Sequence, residues 1–172
     1  GDSYQGSYVA GKREGRGKMA YANGNEYEGL WVGGKRNGQG TYTYASGVVY
    51  EGNWVNGVIE GRGTMSYPSG ATYTGEFTKG KYNGEGTLTY ATGDRYEGGW
   101  KFGKRQGHGT YVYGDGSRYE GEWAADRPQG QGSYQYADGS NYSGEFIAGK
   151  PHGNGTLTRA DGSVLDGHFL NG

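Results

Sequence analysis

The sequence predicts an all-β protein: an elongated, single-layer, twisted antiparallel sheet of tandem 23-residue β-hairpin repeats. Three observations predict it, namely a fixed spacing of tyrosines, glycines at constant places within that spacing, and alternation of large and polar residues between them. A period of roughly 20 to 50 residues is typical of repeat architectures, in which each unit buries its apolar side against its neighbours. The tyrosines of the period are Tyr4, Tyr27, Tyr50, Tyr73, Tyr96, Tyr119 and Tyr142.

These tyrosines define position one of each repeat, and all other positions are counted from them. Full repeats begin at residues 4, 27, 50, 73, 96, 119 and 142, and a partial repeat begins at Leu165. We therefore predict a single repeat array over residues 1–172, and we expect it to be a piece of a longer array. Position five is aromatic in every repeat, and positions three, twelve, fourteen and twenty-one are always glycine in the full repeats.

Each repeat predicts two short strands joined by a tight turn. Residues 27–32 and 38–44 both alternate with the strand period of two. The link between them carries Gly34-Lys35, and glycine at the first central position predicts a type II′ turn. The link to the next repeat, Ala45-Ser46-Gly47, predicts a type I turn followed by a glycine in the left-handed conformation.

This register places positions one, three, five, twelve, fourteen, sixteen and eighteen on one face of the sheet. That face carries rings and glycines, whereas the other carries polar residues such as Glu28 and Thr41. We expect the rings of positions one and five to cover the glycines of positions three, twelve and fourteen, which have no side chain to obstruct them.

Composition and charge exclude several classes of protein. The formal net charge is −1, so nothing favours a nucleic-acid partner. The 15% of aromatic residues opposes the disorder that 40 glycines would otherwise suggest. Cysteine is absent, which excludes a disulfide framework and a thiolate metal site. Since no apolar run approaches about 18 residues, no transmembrane helix is predicted. A cytoplasmic location is the default expectation.

No arrangement of residues predicts catalysis. His108, His152 and His168 occupy different repeat positions, so the simplest interpretation is solvated surface residues. The alternative is a metal site shared by His152 and His168 across a dimer. Pairs such as Gly34-Lys35 lack the strand–loop–helix setting of a phosphate-binding loop. We therefore expect neither an enzyme nor a cofactor.

The consensus Tyr-Glu-Gly-x-Trp-x-x-Gly-Lys-x-x-Gly-x-Gly-Thr-Tyr-x-Tyr-x-x-Gly resembles the MORN (membrane occupation and recognition nexus) repeat. It runs in phase through seven copies. The resemblance implies a sheet of hairpins whose groove is lined by the repeat aromatics. It also implies a scaffold at a membrane-linked or cytoskeletal structure, a peptide or helix bound in the groove, and homodimers formed through terminal repeats. The late departures from the consensus, which we expect to be a cap or a contact surface, include Asp126, Arg127, Pro128, Pro151, His152, Arg159 and Leu165.

Two surfaces are candidates for binding. The first is the aromatic groove, where the alternative is that the rings only bury one another. Its predicted partner-binding residues are Tyr27, Trp31, Tyr50, Trp54, Tyr73, Phe77, Tyr96, Trp100, Tyr119, Trp123, Tyr142 and Phe146. The second is a basic edge along the hairpin turns, whose cations either solvate the turns or bind anionic phospholipid headgroups. Its residues are Lys12, Arg13, Lys35, Arg36, Lys81, Lys104, Arg105, Arg127 and Lys150.

The sequence thus predicts a non-catalytic scaffold that binds protein partners through the aromatic groove and self-associates. Peripheral binding to anionic membranes through the basic edge is the alternative hypothesis. A glycan-binding repeat is a third, although the acid and amide groups expected beside sugar-stacking rings are not organised.

Overall fold

The computed structural model describes residues 1–170, which form strands and tight turns without a helix. Every strand pairs antiparallel with its neighbours in the chain, in one open sheet ordered β1 to β15. This confirms the predicted sheet of tandem hairpins. The chain falls into two compact units, residues 1–84 and a second that begins at Glu85. No helix within residues 1–170 has the length and apolar character needed to cross a membrane.

The first strand of each repeat has seven residues and the second has nine, apart from the six-residue β15. The strands are β1 (Ser3–Val9), β2 (Lys12–Ala20), β3 (Glu26–Val32), β4 (Lys35–Thr43), β5 (Val49–Val55), β6 (Val58–Ser66), β7 (Thr72–Thr78), β8 (Lys81–Thr89), β9 (Arg95–Lys101), β10 (Lys104–Val112), β11 (Arg118–Ala124), β12 (Arg127–Gln135), β13 (Asn141–Ile147), β14 (Lys150–Thr158) and β15 (Val164–Phe169).

The turn inside each repeat lies one residue earlier than predicted. Val32 pairs with Lys35, so Gly33 and Gly34 are the central residues, with φ values of 57° and 84°. Positive φ at both central residues defines a type I′ turn, so the predicted type II′ turn at Gly34-Lys35 is wrong. Non-glycine residues adopt the same left-handed backbone at position seven of the other repeats, namely Ala10, Asn56, Lys79, Phe102, Ala125 and Ala148.

The turn between repeats ends in a left-handed glycine, which is the feature that the sequence predicts. The amide of Gly47 donates a hydrogen bond to the Tyr44 carbonyl at 2.8 Å, and Gly47 has a φ of 86°. The three-residue link therefore ends in a left-handed glycine, as expected.

A bulge in the second strand of each hairpin changes the role of position twelve. Between Gly29 and Trp31 the pairing skips from Gly40 to Arg36, so three residues of β4 oppose one of β3. Gly38 lies in this bulge with a φ of 62°, and a Cβ there would point towards position four, on the opposite face. The prediction that position twelve supplies space under a ring is therefore wrong, because its glycine serves the bulged backbone.

The glycines of positions three and fourteen do lie beneath rings, as predicted. A Cβ on Gly29 would stand 2.5 Å from the Tyr27 hydroxyl oxygen, and one on Gly40 would stand 2.6 Å from the Tyr27 ring. Gly29 and Gly40 pair across the hairpin, so one tyrosine covers both. The same contact recurs at Tyr4, Tyr50, Tyr96, Tyr119 and Tyr142.

The core of each unit is a run of rings in T-shaped contact. Tyr27 lies 5.1 Å from Trp31 of its own repeat and 5.4 Å from Trp54 of the next, measured between ring centroids. Each such pair adds about 0.5–1.5 kcal/mol beyond the area it buries. The run in the first unit is Tyr8, Tyr4, Trp31, Tyr27, Trp54, Tyr50, Phe77 and Tyr73. The run in the second unit is Trp100, Tyr96, Trp123, Tyr119, Phe146, Tyr142 and Phe169.

Candidate functional site

The aromatic residues predicted to bind a partner form the core of the sheet. At positions one and five of repeats two to seven, every side chain is 6% exposed or less. Because neighbouring rings already cover them, direct contact of these twelve residues with a partner stays a prediction. The aromatic side chains that remain accessible lie at other positions of the repeat.

The polar atoms of the core tyrosines and tryptophans form hydrogen bonds with backbone carbonyls. The Tyr27 hydroxyl donates to the Leu30 carbonyl at 3.0 Å, which lies opposite the bulge. All seven position-one tyrosines make this bond, at 2.8–3.3 Å. The indole nitrogen of Trp31 donates to the Gly17 carbonyl at 3.1 Å, and the other three tryptophans repeat that bond. These rings therefore hold the bulge and join adjacent repeats.

The arginines of position ten lie beside the turns, but they pack onto the aromatic face and are only partly exposed. The guanidinium carbon of Arg36 lies 4.3 Å from the centroid of Trp54, and its Nη2 donates to the Gly57 carbonyl at 2.8 Å. Arg13 and Arg105 make the equivalent contacts, each with the tryptophan and the turn of the repeat that follows it. The two-residue turn at Gly33-Gly34 pairs Arg36 with Trp31, so position ten faces the rings, and lipid binding by these arginines stays a prediction. The cations that stay exposed along the turns are Lys12, Lys35, Lys81, Lys104, Arg127 and Lys150.

The residue type at position ten correlates with the aromatic residue at position five of the next repeat, and this correlation is visible in the sequence. Arginine at position ten precedes tryptophan at position five of the next repeat in all three instances, whereas Ile59, Pro128 and Pro151 precede phenylalanine. Tyr82 departs from the pattern, since it precedes Trp100 and stacks on Tyr73 at 3.6 Å. Comparing position ten with the following repeat would have placed the arginines over the rings.

A second row of tyrosines, at position eighteen, is partly exposed on the same face as the core rings. Its members are Tyr21, Tyr44, Tyr67, Tyr90, Tyr113 and Tyr136. They alternate with the side chains of position sixteen. In the second unit the rings follow one another in the order Tyr90, Tyr111, Tyr113, Tyr134 and Tyr136, with centroid separations of 4.5–6.1 Å. In the first unit Tyr21, Tyr42 and Tyr44 form the same sequence of contacts, at 6.0 and 4.6 Å. We call each of these rows a tyrosine ladder.

The two positions of a ladder differ in how their hydroxyls are used. At position sixteen, the Tyr111 hydroxyl donates to Asp94 Oδ2 at 2.8 Å, and the Tyr42 hydroxyl accepts from Asn25 Nδ2 at 2.9 Å. At position eighteen the hydroxyls of Tyr21, Tyr44, Tyr90, Tyr113 and Tyr136 have no hydrogen-bond partner within residues 1–170. Burial of the rings raises the pKa of position-eighteen tyrosines such as Tyr44 and Tyr113, so these hydroxyls stay protonated at neutral pH. Each ladder therefore presents donors that the fold leaves unused.

The histidines of the alternative metal site lie next to each other. The ring centroids of His152 and His168 are 6.2 Å apart, and the buried Nδ1 of His152 has no hydrogen-bond partner. Within the described part of the chain, no group of three or more metal-ligating side chains is assembled. A metal shared between two copies stays a prediction.

Solved structures of other proteins share this fold at low sequence identity. The TCP domain of SAS-4 (dCPAP) of Drosophila melanogaster, in complex with a proline-rich motif of Ana2 (dSTIL), has a TM-score of 0.56 and 17% identity, over 96% of this chain and 95% of that one. The TCP10 domain of Danio rerio CPAP, in complex with a STIL peptide, has a TM-score of 0.54 and 14% identity, over 90% and 68% of the two chains. At such identities the likeness shows the fold alone.

The repeat itself identifies the family. No curated protein matches the chain. The MORN repeat family model matches seven consecutive blocks, residues 4–26, 27–49, 50–72, 73–95, 96–118, 119–141 and 142–164. These blocks coincide with the predicted repeats, and together they span most of the sequence. The chain therefore belongs to the MORN repeat family.

Proposed function

We propose that this protein is a non-catalytic scaffold that binds an extended segment of a partner protein along its tyrosine ladders. The observation that carries the proposal is a row of contacting tyrosines whose position-eighteen members are partly exposed and have unused hydroxyls. This row lies beside a core of rings in mutual contact. Exposed aromatic rows mark interaction sites, and tyrosine is enriched among residues that dominate binding energy. The Drosophila and Danio domains of similar fold, which hold peptides of partner proteins, support the same function.

A peptide selection with matched variants tests this function. Position eighteen tolerates arginine, since Arg159 occupies it in the seventh repeat. The double variant Tyr90→Arg, Tyr136→Arg removes two ring faces, and the control Thr89→Arg, Gln135→Arg adds the same charges at adjacent exposed positions of the opposite face. We expect peptides selected from a displayed random library to bind the control like the wild type, and the tyrosine variant at least about tenfold more weakly, a loss of about 1.4 kcal/mol.

Two results would contradict the proposal. One is a selection that enriches no peptide against the folded wild-type protein. The other is equal loss of binding in the two double variants, which would assign binding to the opposite face or to net charge.

We further propose that the scaffold self-associates and acts at a cytoskeletal or membrane-linked structure. Within residues 1–170, strands β1 and β15 each pair with a single neighbour, and a strand of this kind can pair with a second copy. Light scattering over a range of protein concentrations measures the association directly. A constant monomer mass would rule out self-association.

The exposed cations of position nine favour a second candidate function, peripheral binding to anionic membranes. Flotation with phosphatidylserine vesicles at low and high salt tests it, with Lys35→Glu, Lys104→Glu as the variant. Binding to anionic vesicles that weakens with salt and is lost in the variant would support the function. Equal recovery with neutral vesicles would remove it.

A further inference from the structure

We propose that the ligand of a tyrosine ladder is a polyproline II segment with proline at every third residue, lying along the ladder with one turn against each repeat. This inference rests on the proposed function, because it names the ligand class of the same surface. It adds a predicted conformation and a predicted proline period of the ligand. Both can be wrong even if the ladder binds peptides.

The spacing of the repeats matches the pitch of this ligand. Neighbouring strands of a sheet are about 4.8 Å apart, so successive hairpins, and with them successive tyrosines of position eighteen, are about 9.6 Å apart. A polyproline II helix has three residues per turn and rises about 3.1 Å per residue, which gives about 9.3 Å per turn. The centroid separations of 6.1 Å for Tyr90–Tyr111 and 4.5 Å for Tyr111–Tyr113 are consistent with such a step.

Other peptide conformations fit the ladder less well. An α-helix presents the same face again after seven residues, or about 10.5 Å, so it gains about 1 Å of error at every repeat. An extended strand repeats its side-chain direction about every 6.7 Å, so most of its residues fall between tyrosines. For polyproline II the error is about 0.3 Å per repeat. Three consecutive repeats therefore contact equivalent residues of this ligand.

The chemistry of the ladder complements the ligand as well. Polyproline II has no internal hydrogen bonds, so its carbonyl oxygens are available as acceptors. The unused hydroxyls of Tyr90, Tyr113 and Tyr136 are donors placed once per repeat. The partly exposed rings beside them offer flat apolar faces to proline, and the ligand loses little conformational entropy because it is already extended.

Charge adds a preference for acidic residues between the prolines. Arg36 lies 4.9 Å from the centroid of Tyr42, and neither Arg13 nor Arg36 forms an ion pair within residues 1–170. In the second unit Arg105 is paired with Asp126 at 3.3 Å. The ladder of the first unit therefore carries uncompensated positive charge, and a glutamate between prolines meets it favourably.

The test compares labelled peptides by fluorescence anisotropy on the whole chain. One peptide repeats the triplet Pro-Glu-Ala, and the second has the same length and composition with its prolines at irregular spacing. We expect the periodic peptide to bind at least about tenfold more tightly. In Tyr90→Arg, Tyr136→Arg only the ladder of the first unit stays intact, so we expect fewer periodic peptides to bind per chain. We expect the number bound to stay at the wild-type level in Thr89→Arg, Gln135→Arg. A Pro-Lys-Ala peptide is expected to bind more weakly than Pro-Glu-Ala.

The contrary results distinguish an error in the polyproline II ligand from an error in the proposed scaffold function. Equal affinity for the periodic and irregular peptides overturns the polyproline register and leaves peptide binding in place. If neither peptide binds although library-selected peptides do, the ligand class is wrong and the scaffold function stands. If the selection also yields nothing, both are wrong.

Discussion

At the scale of single residues, one guanidinium performs two tasks between neighbouring repeats. Arg36 stacks on Trp54 at 4.3 Å and donates to the Gly57 carbonyl at 2.8 Å, so it joins one hairpin to the ring and the turn of the next. A planar guanidinium can stack and donate in its plane at once, whereas an ammonium is a compact, strongly hydrated charge. The arginines of position ten therefore couple adjacent repeats in a way that lysine cannot reproduce.

The variant Arg36→Lys tests this coupling. Loss of the stacked guanidinium and of its bond to the turn should lower the free energy of unfolding by about 1–2 kcal/mol. The control is Lys35→Ala at the neighbouring exposed position, where the change should stay within about 0.5 kcal/mol. Urea unfolding followed by tryptophan fluorescence measures both. Equally small effects of the two substitutions would show that the stacked guanidinium does not couple the repeats.

Position three allows a second comparison, between a glycine beneath a ring and an equivalent one that is uncovered. A Cβ on Gly121 would stand 2.6 Å from the Tyr119 hydroxyl oxygen and 2.5 Å from the Cα of Gly132. At Gly167 nothing lies within 4 Å, because Leu165 replaces the position-one tyrosine and, within residues 1–170, no strand follows β15. We expect Gly121→Ala to cost about 1–3 kcal/mol through overpacking, and Gly167→Ala to be almost neutral. Thermal unfolding monitored by circular dichroism checks this, and similar costs at the two sites would contradict the ring-over-glycine account.

At the scale of the hairpin, the type I′ turn explains why the second turn residue is glycine in all but one full repeat. Both central residues need the left-handed backbone, which is strained for most side chains and tolerated best by glycine and asparagine. The third repeat carries the favoured pair Asn56-Gly57, whereas the seventh carries Ala148-Gly149 with a φ of 53° at the alanine. The seventh repeat therefore holds strain that the third avoids.

Replacing Ala148 by asparagine should relieve that strain. We expect Ala148→Asn to raise the free energy of unfolding by about 0.5–1 kcal/mol, since alanine pays about 1–2 kcal/mol in the left-handed region. The matched control is Ala137→Asn, an exposed alanine of the turn between repeats whose φ is not positive. Chemical denaturation compares the two variants. A gain at Ala137 as large as that at Ala148 would attribute the effect to asparagine itself.

How far the sequence predicts the hairpin depends on which interactions are local. The period, the strands and the glycines beneath rings follow from residues that repeat in phase, such as Tyr27 with Gly29 and Gly40. The turn was misplaced because Gly33-Gly34 and Gly34-Lys35 both supply a glycine, and only the pairing of Val32 with Lys35 decides between them. The bulge was missed because glycine at position twelve fits either face. Because the turn lies at Gly33-Gly34, Arg36 pairs with Trp31 and its side chain packs on the rings.

The aromatic face of the sheet could be predicted from the sequence, but the exposure of its individual rings could not. A face of aromatic residues follows from the alternation of the strands, and the structure has one. The sequence could not rank its rings by exposure, because the cover over Trp54 comes from Arg36 of the preceding repeat as well as from neighbouring tyrosines. Exposure therefore falls to Tyr44 and its equivalents beside the turns, where the run of core rings no longer covers the sheet.

At the scale of the whole molecule, both units depend on tyrosines that must stay neutral. The position-one hydroxyls cap the carbonyls opposite the bulges, and burial raises the pKa of Tyr27 and Tyr50 to about 12. Burial also raises the pKa of Tyr96 and Tyr119 in the second unit. Because a position-one tyrosine recurs in every full repeat, deprotonation of these hydroxyls at alkaline pH destabilises every full repeat. Stability should therefore depend on alkaline pH much more steeply than in a protein with a single buried tyrosine.

The direction of this dependence follows from proton binding. Unfolded tyrosine titrates near its ordinary pKa of 10.0, whereas the folded protein keeps these protons up to about pH 12 at Tyr27 and Tyr50. Between those values the unfolded chain holds fewer protons, so the free energy of unfolding falls as pH rises; below pH 10 the contribution is complete. We expect urea midpoints to be level up to about pH 9 and to fall steeply above pH 10, with tyrosinate absorbance appearing as the fold is lost.

The variant Tyr27→Phe distinguishes the contribution of the hydroxyl group to stability from that of the aromatic ring. It keeps the aromatic contacts and removes the hydroxyl, leaving the Leu30 carbonyl without its 3.0 Å donor. At neutral pH it should be less stable by about 1–2 kcal/mol, since a part-buried carbonyl that loses its donor is costly. Above pH 10 that deficit should shrink, because the variant has one fewer proton to lose on unfolding. A deficit that stays constant across this range, or complete tyrosine ionisation in a protein that remains folded, would show that the position-one hydroxyls do not govern alkaline stability.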